Sequence, residues 1–364
     1  MTTKDSSENN SQHPGAKGRK RNVTVKEIAK RAGVSVSTVS RVMSGADTAI
    51  PISEQTRKKV MEVCEELKFL PDVNYLRLKE RRSYSIGFLI PRMNPEKGIP
   101  FQFDENVGLF LSAFEHHLSL NRFGILIQGV DAEYIKGLEH LRILRNNTVD
   151  GMVVWDAFSS PAPVHELNQE IRPFICVAFP YEGAKNFIIP DNFQGAYDLA
   201  SHLISLGHKE IAYVSGGMGE LVDRLREDGF RRALNEHGLT IRVYDGHYTF
   251  KGGYSCAEQI MADNANITAI LAANDLMAIG AMEYARLAGI SMPQDLAIAG
   301  FDGSSHSSVV LPRLTTGRLP WEEMGRLAAE HLVNMIENED KDPVQLTLPI
   351  EIITRESTLG SSKK

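Results

Sequence analysis

The stretch 23–45, VTVKEIAKRAGVSVSTVSRVMSG, constrains this chain more than any other. Val25, Ile28, Ala29 and Ala32 recur at helical intervals, Gly33 supplies the left-handed backbone at which a helix stops, and Ser35 is placed to cap a second helix. In that second helix Val39 and Val42 face inward with Val34, which leaves Val36, Ser37, Ser40 and Arg41 outside. Two short helices about a glycine turn, the second small and basic on its outer face, have the layout of a helix-turn-helix that reads DNA. Small side chains let such a helix lie deep in a major groove, and an arginine there can make a bidentate guanine contact worth about 1–3 kcal/mol of discrimination. A third helix is predicted after Ile50-Pro51-Ile52. Ser53 caps it, Val60, Val63, Cys64 and Leu67 form its apolar stripe, and Leu70-Pro71 ends it.

Charge divides the chain in the same place. Residues 17–82 hold 16 Lys and Arg against 8 Asp and Glu, a net +8, and residues 1–16 carry −1; of the total of −6, −13 therefore falls on residues 83–364. Only the N-terminal module is charged to sit on phosphates. Residues 1–22, rich in Ser, Asn, Lys and Arg, read as a disordered arm whose basic end (Lys17, Arg19, Lys20, Arg21) adds nonspecific phosphate contact.

From Ser83 onward short β-rich runs alternate with amphipathic helical stretches: IGFLI (86–90), FGILIQ (123–128), GMVVW (151–155), FICVAF (174–179), IAYVSG (211–216), ITAILAA (267–273) and LAIAGF (296–301). Continuous apolar strands are buried on both faces, which predicts doubly wound parallel sheets. A segment of this length exceeds one such sheet and suits two lobes. Hydrophobic residues at 42% and 29 glycines are ordinary for a globular α/β chain. Three cysteines without metal-ligand spacing, no signal peptide and no membrane-length apolar run lead to the expectation of a cytoplasmic protein without disulfides.

Residues 23 to 82 resemble the head of the LacI/GalR family of bacterial transcription regulators. The signature V-T-x-x-x-x-A-x-x-A-G-V-S-x-x-T-V-S-R-V is matched at Val23, Thr24, Ala29, Ala32, Gly33, Val34, Ser35, Thr38, Val39, Ser40, Arg41 and Val42. The resemblance implies that Val36, Ser37 and Arg41 read an operator and that Thr24 and Ser35 hold phosphates. It also implies a hinge helix, with Leu78 as a minor-groove wedge and Asn74 beside it; here Tyr75-Leu76 stands where many relatives have Ala-Arg. Opening a base step costs a few kcal/mol and is worthwhile only when two hinges share one bent site. A palindromic operator and a dimer follow. The C-terminal RESTLGSSKK lacks the leucine heptads that make the lac repressor a tetramer, so a homodimer is expected.

The resemblance extends to about residue 356 and implies a core like a periplasmic sugar-binding protein, with an effector cleft between lobes joined by crossing strands. The expected layout is a basic arm (1–22), a helix-turn-helix domain (23–70), a hinge helix and linker (71–82), a two-lobed core (83–356) and a flexible tail (357–364).

Ligands of open α/β sheets sit beyond the carboxyl ends of the strands. Asn274-Asp275 closes ITAILAA and opens a helix, matching the family pattern N-D-x-M-A-x-G-A, in which the aspartate serves the effector; the competing reading of Asp275 is a helix N-cap. Arg226 stands where relatives carry the arginine of R-x-x-G-F, and the competing reading is a solvated helix residue. Tyr248 and Phe250 follow the strand RVYDGH as candidate stacking platforms, though core packing explains such rings equally well. The first lobe offers Trp155 and Asp156 at a strand end and Phe101 and Phe103 on the first βα loop. Asp191-Asn192 reads as a helix cap rather than a ligand group.

Scattered histidines, no phosphate loop and no zinc pair argue against an enzyme and for no cofactor. A sugar-transport binding protein would share the two-lobed fold but needs a secretion signal in place of a DNA-binding head. The expectation is a regulator, most simply a repressor of carbohydrate genes, switched by a small-molecule effector. A sugar is favoured, and a nucleobase or nucleoside is the alternative.

Overall fold

The structure is a computed structural model and describes residues 23–44, 52–67, 69, 82–92, 104–217, 221–263, 266–338 and 342–359. The chain divides into two compact units, Met1–Glu80 and Arg81–Lys364.

The first unit contains α1 (Val25–Ala32), α2 (Val36–Ser44) and α3 (Glu54–Glu66). Thr24 caps α1, and Gly33, at φ 67°, ends it with its N–H on the Ala29 carbonyl. A side chain at that φ costs energy that glycine avoids, so the residue type itself sets the turn. Ile28, Ala32, Val39 and Val60 are fully buried between the three helices, with Ala29, Val42, Val63 and Cys64 completing the core.

The second unit holds two six-stranded sheets. The first lobe contains β1 (Ser85–Pro91), β2 (Gly124–Val130), β3 (Gly151–Trp155), β4 (Phe174–Val177) and β5 (Phe187–Pro190), joined by α4 (Glu105–Leu120), α5 (Ala132–Lys136), α6 (Glu139–Arg145) and α7 (Ala162–Leu167). The second contains α8 (Asn192–Ser205), β6 (Ile211–Ser215), α9 (Leu221–Glu236), β7 (Ile241–Asp245), α10 (Phe250–Asp263), β8 (Ala269–Ala272), α11 (Asp275–Leu287), β9 (Ala297–Asp302) and β10 (Thr315–Arg318). The chain then returns to the first lobe through α12 (Trp321–Glu337) and edge strand β11 (Gln345–Leu348), and ends in the second with β12 (Glu351–Ile353) and α13 (Glu356–Leu359). The orders are β11-β5-β4-β3-β1-β2 and β12-β10-β9-β8-β6-β7, parallel throughout except for β12 against β10.

Strand pleating assigns the side chains to layers. Phe88, Val153, Trp155, Ile175 and Val177 join the apolar cluster that includes Phe110 and Phe114 of α4 and Met324 and Ala328 of α12. Leu89, Met152, Val154, Phe174 and Cys176 enter a separate cluster with Leu141 and Val164 on the opposite face. Both faces of β1, β3 and β4 are therefore dry, as their unbroken apolar runs predicted, whereas β2, from the run FGILIQ, departs from that expectation: it has a neighbouring strand on one side only and leaves Leu126 and Ile127 exposed.

Three segments pass between the lobes: Pro190 to Asn192, Arg318 to Trp321 and Leu348 to Glu351. The first and third lie side by side, with the Asp191 N–H donating to the Leu348 carbonyl at 2.8 Å. The C-terminus differs from the expected tail. Ser357 is fully buried, and its hydroxyl donates to the Ile298 carbonyl at 2.6 Å, so α13 is part of the second lobe through Leu359. Small polar residues looked like tail but are instead satisfied by backbone groups. The basic arm and nearly all of the hinge segment fall outside the described residues.

Candidate functional site

In the head, Ser35 accepts from the Thr38 N–H at 3.0 Å and so caps α2. This fixes the start of α2, whose first two residues, Val36 and Ser37, are exposed, while Ser40 and Arg41 are half-buried. Val36 remains 46% accessible despite being apolar. Thr24 is also exposed, its hydroxyl oxygen accepting from the Glu27 N–H. Asn74 and Leu78 lie outside the described residues, as do Phe101 and Phe103.

In the second unit a cavity of about 1170 Å³ is lined from both lobes. The carboxyl ends of the parallel strands supply its walls: Asp156 and Phe158 to Pro161 after β3, Phe179 to Glu182 after β4, Tyr248 after β7, Asn274 and Asp275 after β8, and Asp302 at the end of β9. Helix starts add Asp104, Glu105 and Phe250. Of the residues expected here, Asp156, Arg226, Tyr248, Phe250, Asn274 and Asp275 line this one space.

Trp155 does not. It is 8% exposed and packs 4.9 Å from Trp321, 5.2 Å from Phe110 and 6.1 Å from Phe88, ring centroid to centroid. Its position at a strand end is right, but the pleat turns it with Val153 toward α4 and α12, and the chain reaches the cleft one residue later at Asp156.

Asn274, not Asp275, is the cap of α11, accepting from the Met277 N–H at 2.9 Å. Asp275 begins the helix, 1% exposed. Its Oδ2 accepts from the Ser304 N–H at 2.7 Å and its Oδ1 from the Thr316 hydroxyl at 2.5 Å. Burial pushes its carboxyl up to about 6, against these hydrogen bonds and the charge of Arg355.

Arg226 lies on the second turn of α9 and is only 5% exposed, so it is not a solvated helix residue. Its Nε donates to Asn192 Oδ1 at 2.8 Å and its Nη1 to the Ala273 carbonyl at 2.5 Å, while the guanidinium covers the Phe301 ring. Asp191 caps α8 through the Gln194 N–H, as expected of that pair, whereas Asn192 is buried and anchors Arg226. Asp302 was not among the expected residues. It completes the cluster 3.8 Å from Arg226 Nη1, at φ 127°, and burial drives its carboxyl well above the usual range, more than Arg226 draws it down. The rule that selected Asn274-Asp275 also points to the residue ending LAIAGF-D, so the signal was present.

The described residues contain no group of three or more His, Cys, Asp or Glu placed to hold a metal ion, and no helix long and apolar enough to cross a membrane. The cleft presents hydrogen-bonding groups and rings, an arrangement for binding a small polar molecule.

Residues 24–72 match the family model for bacterial regulatory proteins of the lacI family, and residues 200–358 match that for the periplasmic binding protein-like domain. Catabolite control protein A of Priestia megaterium is 31% identical over 347 residues, covering 93% of this chain and 99% of that protein. The lac repressor dimer bound to operator and the anti-inducer ONPF aligns with a TM-score of 0.78 at 23% identity, over 93% of this chain and 100% of that one. The transcriptional regulator CelR in complex with cellobiose aligns with a TM-score of 0.65 at 25% identity, over 92% and 100%.

Proposed function

The chain belongs to the lacI family of bacterial regulatory proteins, and on that premise we propose that it is a cytoplasmic repressor of sugar-use genes whose hold on a palindromic operator is set by a neutral saccharide in the inter-lobe cleft. It is a DNA-binding transcriptional regulator with a ligand-binding domain. One observation carries the assignment of a saccharide effector. Arg226, the Asn274-Asp275 pair and Asp302 come from different strand ends and helices yet line one cavity with Tyr248 and Phe250. Carboxylates and amides bind paired hydroxyls, and rings cover the apolar face of a sugar.

Charge narrows the ligand further. Besides the buried Asp275 and Asp302, whose carboxyls are raised, the cavity carries Asp104, Glu105, Asp156 and Glu182 against Arg224, Arg226 and His306. An excess of carboxylates opposes a phosphorylated or uronic sugar and tolerates a neutral one.

In the proposed mechanism two protomers pair so that their α2 helices enter successive major grooves about 34 Å apart, with Val36, Ser37, Ser40 and Arg41 toward base edges and Thr24 and Ser35 toward phosphates. Asn74 and Leu78 act between the half-sites. The effector shifts operator affinity only by its own preference between two core states, typically about 1–3 kcal/mol of coupling. The test is a thermal-shift screen of the full chain against neutral mono- and disaccharides, sugar phosphates, uronates and nucleosides, followed by selection of a DNA site from a random pool. A neutral sugar that raises Tm and alters DNA binding is expected. Stabilisation only by nucleosides or by anionic sugars would overturn the effector class.

A further inference from the structure

Glu105 begins α4 in the first lobe, and Ser305 follows β9 in the second. The two meet across the cleft. Glu105 Oε1 and Oε2 accept from the Ser305 N–H at 2.9 and 3.0 Å, and Oε2 also accepts from the Ser305 hydroxyl at 3.0 Å. Glu105 is 34% exposed, and it meets Ser305 through three contacts to a single residue, which fixes its geometry more than a lone hydrogen bond would. The preceding peptide is committed as well: the Ser304 N–H is held by Asp275. Two consecutive N–H groups of one turn thus tie the start of α11, at the back of the cleft, to the start of α4 on the opposite lobe.

We propose that Glu105 is the positioning residue that holds the two lobes together, and that the Ser304–Ser305 turn passes events at Asp275 to this clasp. The turn is stiff enough to do so, because the Ser307 N–H returns to the Ser304 carbonyl at 3.0 Å and the Ser307 hydroxyl accepts from Arg355 Nη1 at 2.8 Å. A ligand hydroxyl that takes Asp275 Oδ2 from Ser304 releases one end of a turn whose other end is the clasp. The resting separation of the lobes is then set by this chain and not only by its ligand.

The test is hydrogen–deuterium exchange, read by mass spectrometry, on the full ligand-free chain. Glu105→Ala should speed exchange about tenfold in residues 304–308 and also in the facing first-lobe loops 156–161 and 179–182, while residues 25–32 of the head stay unchanged. Glu105→Gln, which keeps one acceptor oxygen, should fall between the wild type and Glu105→Ala. Ser305→Ala removes only the hydroxyl donor and lies on the opposite lobe from α4, so its expected threefold or so acceleration at 156–161 cannot come from a weakened helix start. Faster exchange confined to 304–308 in Ser305→Ala would overturn the proposal, whatever Glu105→Ala does to folding.

Discussion

Arg226 and Asp302 face each other with Nη1 and Oδ1 3.8 Å apart, beside a Phe301 ring whose centroid is 4.2 Å from the guanidinium carbon. A cation this buried is tolerable because Asn192, the Ala273 carbonyl and the ring together replace its water. The pair therefore both supports the lobe and presents polarity to the cleft.

Arg226→Met should lower unfolding stability by about 3 kcal/mol, because it strands Asp302 and the Ala273 carbonyl. Arg226→Met with Asp302→Leu should recover part of that loss. Calorimetry of the two single variants and the double variant gives the coupling, and strictly additive losses would show that the two residues do not act as a pair.

The raised carboxyl of Asp275 has a pH signature. A carboxyl whose pKa is higher folded than unfolded binds more protons in the native state, so its contribution to stability is present at low pH and is lost as pH rises from about 4 through about 6. Tm of the wild type minus Tm of Asp275→Asn should therefore fall across that window and level off above it. A difference that grows with pH would reverse the assignment.

Trp155→Phe should cost about 1–2 kcal/mol of stability by leaving a gap against Trp321, and Trp155→Ala about 3–5 kcal/mol, with effector affinity of the folded fraction unchanged. A large loss of affinity at unchanged Tm would return Trp155 to the cleft. Trp155 and Trp321 are the chain's only two tryptophans, so tryptophan fluorescence, excited at wavelengths where tyrosine does not absorb, reports on this layer alone.

Arg41→Ala should weaken binding to the selected DNA site by tenfold or more, about 1–3 kcal/mol, and weaken random-duplex binding far less. Titration of both duplexes at one fixed salt concentration measures the ratio. Equal losses would make Arg41 a phosphate contact.

The head was legible from its sequence because every signal in it is local: Gly33 ends one helix, Ser35 and Ser53 start others, and Val39 with Val42 on α2 and Val60 with Val63 on α3 repeat at the period of a buried face. Most strands of the core were legible for a related reason, since an interior run apolar at every position has to be covered on both sides, but β5 and the threonine-rich β10 were not anticipated and the edge strand β2 is left partly exposed. The edge strands β11 and β12, mixed in polarity, carried no such signal.

What lines the cleft was decided at a distance. Strand ends could be read from the chain, but which way a terminal residue faces depends on the pleat, and this separated Trp155 from Asp156. The partners of Arg226 lie 34 and 47 residues away, and those of Glu105 200 residues away, so no window of sequence contains them. Local backbone preferences and hydrophobic period are properties of neighbouring residues and survive in a linear string. Pairing of buried charges depends on which strand ends the crossings bring together, and only the folded lobes set that.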